Sequence, residues 1–156
     1  MAIEIERKFL VEGDGWRSAV AAKKRIRQAY LSNGGKAGVR IRIIDEERAK
    51  LTIKSRGKGG GKALSRSEFE YQVPIEDARA MLELRRGLVI DKVRHLVPAG
   101  GGRTWEIDVF AGEHEGLVLA EIELGSADEA VDLPEWIGRE VTSDPHYSNA
   151  ALAQGG

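Results

Sequence analysis

Ile3-Glu4-Ile5-Glu6-Arg7-Lys8-Phe9-Leu10 alternates apolar and charged side chains at its start. In an extended strand that pattern turns Ile3 and Ile5 to one face and Glu4, Glu6 and Lys8 to the other. The alternation recurs in Arg25–Ser32, Gly38–Ile44, Ala49–Ser55, Leu64–Val73, Leu88–Val97, Arg103–Phe110 and Val118–Leu124. The sequence therefore predicts eight strands. Turn chemistry separates several of them, with Asn33-Gly34-Gly35 and Pro98-Ala99-Gly100-Gly101-Gly102 suited to hairpins.

Helical patterns are few. Asp14–Ala22, Pro74–Arg86 and Ala127–Val131 read as short helices, and Asp144-Pro145 opens another that runs through Tyr147–Ala153. Of these, Pro74–Arg86 carries the clearest apolar face, from Ala78, Met81, Leu82 and Leu84.

The charged faces decide the rest. Like-charged residues come in pairs two apart: Glu4/Glu6, Arg40/Arg42, Glu68/Glu70, Lys92/Arg94, Glu106/Asp108 and Glu121/Glu123, extended by Lys8, Lys50 and Lys54. A solvated face intersperses its signs, because like charges on one strand repel. Here the signs are sorted by strand, and the opposite faces are apolar and need cover. Eight antiparallel strands can close into a barrel. With the charged face inward and helices outside, the expected fold is α+β, mainly β: one domain over residues 1–156, an eight-stranded antiparallel closed barrel forming a charged tunnel, flanked by short helices and a C-terminal helix.

Such a tunnel holds eight carboxylates and seven cations, a sum of −1. Buried charge demands a partner. Paired carboxylates suit a hard divalent ion, Mg²⁺ or Mn²⁺, and clustered Arg and Lys suit phosphate. A polyphosphate bound with metal satisfies both.

Composition excludes other classes. The chain has 156 residues, 24 Lys plus Arg, 25 Asp plus Glu and no Cys. That leaves no disulfide framework, thiol nucleophile or thiolate metal site, and no basic coat for nucleic acid. No apolar run suits a signal or membrane span, so a cytoplasmic location is expected. Gly57–Lys62 lacks the phosphate-loop pattern, since Ala63 follows Lys62.

Glu4-x-Glu6-x-Lys8 resembles the signature of the CYTH superfamily, the triphosphate tunnel metalloenzymes. Arg40-x-Arg42, Leu51-Thr52-Ile53-Lys54, Arg66-x-Glu68-x-Glu70, Lys92-x-Arg94, Trp105-Glu106-Ile107-Asp108 and Ala120-Glu121-Ile122-Glu123 follow in the family's order. The resemblance spans nearly the whole chain and is closest to short single-domain bacterial tripolyphosphatases. It implies metal-dependent hydrolysis of inorganic tripolyphosphate to pyrophosphate and phosphate. It implies Glu4, Glu6, Glu121 and Glu123 as metal ligands, and Glu68, Glu70, Glu106 and Asp108 as second-metal ligands or water-orienting groups. Lys8, Arg40, Arg42, Lys54, Lys92 and Arg94 would hold phosphate, with Lys8 and Tyr30 placed nearest catalysis, Tyr30 reaching Lys8 from an adjacent strand. The alternatives are a class IV adenylate cyclase, a thiamine or nucleoside triphosphatase, and a non-catalytic polyphosphate- or nucleotide-binding module. The partner is a small-molecule triphosphate, with no nucleic acid or membrane expected and a homodimer left open.

Overall fold

The alternating segments meet their backbone hydrogen-bonding needs across one antiparallel sheet. The computed structural model describes residues 2–55 and 65–154, with side chains over 5–55 and 67–154. The strands are β1 (Ala2–Val11), β2 (Ala22–Ser32), β3 (Ala37–Ile44), β4 (Arg48–Ser55), β5 (Ser65–Val73), β6 (Arg86–Gly100), β7 (Arg103–Phe110), β8 (Val118–Glu123) and β9 (Ile137–Glu140). Among the described residues there are two α-helices, α1 (Ile75–Leu82) and α2 (Asn149–Ala153), with single 3-10 turns at Arg17–Ala19, Gly112–His114 and Pro145–Tyr147.

The strand order is β5-β4-β3-β2-β6-β7-β8-β1-β9, and β5 also pairs with β1. That extra seam joins Ala2–Ile5 to Ser65–Glu68, while β8 pairs with Glu6–Leu10. This corrects the expected architecture. Nine strands are found, not eight, and the sheet is not a barrel closed along its length. The seam covers only the first part of β1, and β9 takes Phe9 and Val11 farther along.

All eight predicted strands exist, several with longer ends. The helix expectations fare less well. Asp14–Ala22 forms only the 3-10 turn at Arg17–Ala19, and Ala127–Val131 forms no helix. Trp16 explains the first case: the segment turns sharply to bury the indole, which is 1% exposed. α1 stops at Leu82, and Leu84 stands 70% exposed, so it adds nothing to the apolar face. The C-terminal segment divides into two pieces. Asp144 accepts a hydrogen bond from the His146 amide at the first, and Ser148 caps α2 by accepting one from the Ala151 amide.

Apolar residues cover the face opposite the charges. Phe9, Trp105, Ile107, Ala120 and Ile122 form one cluster with Trp16, and Trp136 stacks edge-on to Trp105 at 5.6 Å. Ala29, Ile41, Ile43 and Ala49 form another, roofed by Ala78 and Leu82 of α1. A third lies on the charged face itself, at one end. There Ile90, Phe110 and Leu119 pack with Leu152 and Ala153 of α2. Gly87 makes that docking possible: its φ is +83°, and a Cβ there would lie 2.3 Å from the Ala153 carbonyl oxygen. No helix among the described residues is long and apolar enough to cross a membrane.

Candidate functional site

Directly opposed residues on neighbouring strands point to the same face. Register therefore assembles the charges without reference to sequence distance. Glu6 faces Glu123, and Lys8 faces Glu121, which in turn faces Glu106. Lys24 faces Arg94 and Arg94 faces Asp108. Arg42 lies between Gln28 and Lys50, and Arg40 between Tyr30 and Thr52. Lys54 faces Glu68, and Thr52 faces Glu70.

Several of these groups are buried: Lys8, Gln28, Arg40, Thr52, Lys92, Arg94, Asp108 and Glu121. Asp108 is the hub. It accepts two hydrogen bonds from the Arg94 guanidinium, at 2.8 and 2.9 Å, and its Oδ2 lies 2.7 Å from Lys92 Nζ. Burial alone would raise the Asp108 carboxyl, but the charges of Arg94 and Lys92 outweigh it and hold the group far below the usual carboxylate range. Lys92 is fully buried, and its ammonium makes an electrostatic approach to Asp108 without a well-aligned hydrogen bond. Burial pushes it down to about 7, against the pull of Asp108.

Glu121 shows the same competition. Its burial is opposed by the charge of Lys8, 3.7 Å away, and by a hydrogen bond from Glu6, so its carboxyl is held low. Lys8 Nζ also donates to the Tyr147 carbonyl at 2.9 Å, which ties β1 to the C-terminal segment. Lys50 pairs with Glu70 at 3.3 Å and Lys54 with Glu68 at 3.6 Å. Arg94 also reaches Glu106 at 3.4 Å.

Arg40 and Arg42 differ from the rest. Among the described residues neither makes an ion pair with an acid. Arg42 Nε donates to Gln28 Oε1 at 2.7 Å, and Arg40 Nε is buried with no partner. Burial, then the charges of Arg40 and Arg94, push Arg42 down to about 9. Among the described residues these guanidiniums have no carboxylate in direct contact, and phosphate can supply an anion bidentately.

The acidic side suits a divalent cation. Glu6 and Glu121 are close enough to share a hydrogen bond, and a cation beside them would let both carboxyls ionise. Among the described residues no three Asp, Glu or His side chains form a ready cage. Mg²⁺ needs none, because it binds through one or two carboxylates plus water and substrate phosphate. The Glu4 side chain lies outside the described residues, as does Gly57–Lys62; the Glu4 backbone pairs with Arg66.

The register thus brings Glu6, Lys8, Arg40, Arg42, Lys54, Glu68, Glu70, Lys92, Arg94, Glu106, Asp108, Glu121 and Glu123 onto one face. It does not bring Tyr30 to Lys8 through an adjacent strand. β2 pairs with β3 and β6, not β1, and Tyr30 packs against the apolar cluster beneath α2. Two residues on the face went unmarked. Gln28 carries no charge, and Lys24 precedes the predicted start of its strand. The same-face parity of positions 24, 26 and 28 was the signal for Lys24.

The CYTH domain family model matches residues 2–154. Over 155 residues the chain is 42% identical to the inorganic triphosphatase of Acetivibrio thermocellus, spanning 99% of this chain and 95% of that protein. It is 37% identical to the inorganic triphosphatase of Nitrosomonas europaea, over 96% of each. The crystal structure of an inorganic triphosphatase superposes with a TM-score of 0.68 at 33% identity, covering 99% of this chain and 96% of that one.

Proposed function

The chain belongs to the CYTH domain family, and on that premise we propose that it hydrolyses inorganic tripolyphosphate to pyrophosphate and phosphate with a bound divalent metal, Mg²⁺ or Mn²⁺. The observation that carries this reading is the sorting of charge on one sheet face. Arg40 and Arg42 offer cations that make no ion pair with an acid among the described residues, beside carboxylates that crowd one another. In this reading the phosphate chain lies lengthwise along this face.

Arg40, Arg42, Lys54, Lys92 and Arg94 bind the non-bridging oxygens. Their positive charge stabilises oxygens that gain charge as the anhydride bond breaks. Lys8, held by Glu121 and the Tyr147 carbonyl, is set to meet phosphate from the acidic side. Glu4, Glu6, Glu121 and Glu123 hold the metal, which when bound neutralises phosphate charge and can lower the pKa of a coordinated water. Glu68, Glu70, Glu106 and Asp108 remain as second-metal ligands or as groups that orient the attacking water. Asp108 is already committed to Arg94 and Lys92, which favours Glu106 for the latter task. The reaction joins a water oxygen to the terminal phosphorus and breaks its bond to the bridging oxygen. Phosphate, pyrophosphate and a proton leave.

The test offers tripolyphosphate, ATP and thiamine triphosphate in parallel with Mg²⁺ or Mn²⁺. Phosphate should appear fastest from tripolyphosphate, and turnover should vanish in excess chelator. Cyclic AMP with pyrophosphate would instead identify a cyclase, and tight binding without product a binding module.

A further inference from the structure

The cation face extends one residue beyond the family-like pattern. Lys24 sits opposite Arg94 on β2 and so points to the charged face. It is half-buried, and its ammonium makes no hydrogen bond or ion pair among the described residues. Burial, and then the charges of Arg94, Lys50 and Arg42, push it below the ordinary lysine range, with Glu106 opposing. Four cations thus converge here; Lys50 is paired with Glu70 and Arg94 with Asp108 and Glu106, while Glu106 offsets only part of the positive charge around Lys24.

Position gives this lysine its meaning. One end of the charged face is filled: Ile90, Phe110, Leu119 and Leu152 pack together there under α2. Lys24 belongs to the other end, near Glu106 and half-exposed Lys50. With the first end filled by this packing, a bulky group attached to a triphosphate would sit at the second. There the end group differs between ligands. A free terminal phosphoryl carries roughly two negative charges near neutral pH, whereas a phosphate esterified to a nucleoside and anhydride-linked on its other side carries one.

Building on the tripolyphosphate reading, we propose that Lys24 is a substrate-binding residue that grips the outer terminal phosphoryl group and selects a free phosphate end over a nucleoside-capped one. Its neighbouring cations leave it in want of an anion, and the dianionic end satisfies it best.

The test compares wild type, Lys24→Met and Lys24→Arg with tripolyphosphate as substrate and ATP as substrate or competitor, both with Mg²⁺. Lys24→Met should raise the KM for tripolyphosphate about tenfold, the loss of one charge-assisted contact. Its kcat should stay within about twofold, the mark of lost ground-state binding. The KM or Ki for ATP should rise by a smaller factor, and Lys24→Arg should restore the wild-type ratio. The melting temperature of ligand-free Lys24→Met should equal or exceed that of wild type, since a cation leaves a cationic neighbourhood. An unchanged KM, an equal rise for both ligands, or a kcat loss with a lowered melting temperature would overturn the proposal. Failure of wild type to hydrolyse tripolyphosphate would instead refute the functional reading. In that event the rise in melting temperature on adding tripolyphosphate still reports the Lys24 contact: equal rises in wild type and Lys24→Met overturn it.

Discussion

Lys92 and Asp108 show how this protein keeps a charge where water does not reach. Arg94 alone gives Asp108 two aligned hydrogen bonds, so Lys92 is not needed to hold that carboxylate. The lysine instead carries a burial cost that Asp108 offsets only in part, visible in its depressed pKa of about 7 against an ordinary 10.5. The sign follows from proton counting. Between pH 7 and 10.5 the unfolded chain holds a proton on Lys92 that the folded chain lacks, so stability rises with pH there. The cost is complete below about pH 7 and disappears towards 10.5. Lys92→Met should therefore lose activity yet gain stability over wild type at pH 6–7, with the gain shrinking by about 1.4 kcal/mol per pH unit above that. Denaturant melts from pH 6 to 9.5 check it; a difference that stays flat or grows with pH would contradict the assignment. The sequence shows Lys92 and Asp108 as charged positions on strands, and nothing more. Which acid serves which cation depends on β6 lying beside β7 in a particular register. Gln28 stayed invisible for a different reason: it joins a charged face without a charge of its own.

At the scale of elements, legibility follows the length of the local pattern. Strands of eight or more residues announce themselves by alternation, as Arg103–Phe110 does with the same bounds in sequence and structure. β9 has four residues, Ile137–Glu140, too few to alternate convincingly. Its existence depends on β1, where Arg7 grips Glu140 with two hydrogen bonds at 2.9 and 2.7 Å across 133 residues of chain. The β3–β4 turn was equally hidden. Asp45 and Glu46 adopt positive φ of 53° and 56° without glycine, held by an Asp45 hydrogen bond from the Arg25 amide and by Arg27 on Glu46. α2 is the element with most at stake. Five residues cannot form a stable helix alone, so α2 depends on docking Leu152 against Ile90, Phe110 and Leu119. Gly87→Ala should disrupt this docking, because it combines a strained φ with a Cβ driven into the Ala153 carbonyl. A loss on the order of 2–3 kcal/mol is expected. Limited proteolysis should then cut near the C-terminus before the sheet unfolds. Melting and cleavage patterns identical to wild type would show that α2 is held by something other than this contact.

Across the whole molecule the formal charge of −1 conceals a separation of sign. Following the strand order, β7, β8 and β1 present Asp108, Glu106, Glu121, Glu123 and Glu6, whereas β6, β2, β3 and β4 present Lys92, Arg94, Lys24, Arg42, Arg40, Lys50 and Lys54. Lys8 is the exception on the acidic strands, and Glu68 and Glu70 of β5 face the cations of β4. A triphosphate bound along the cationic strands lies across from the carboxylates. Without metal those carboxylates repel it; in the proposed reading they hold, with metal present, the ion that it shares. Neutralising two of them must then act in opposite directions under the two conditions. With Mg²⁺ present, the double variant Glu6→Gln/Glu123→Gln should lose turnover almost entirely, because the ion's ligands are gone. In chelator, the same variant should bind tripolyphosphate several-fold more tightly than wild type, because two repelling charges are gone and the cationic strands are untouched. Calorimetric binding in chelator beside steady-state rates in Mg²⁺ tests both limbs on one preparation. Weaker metal-free binding by the variant would mean that these carboxylates organise the lysines and arginines rather than oppose the substrate. The metal's place on the acidic strands would then lose its electrostatic basis.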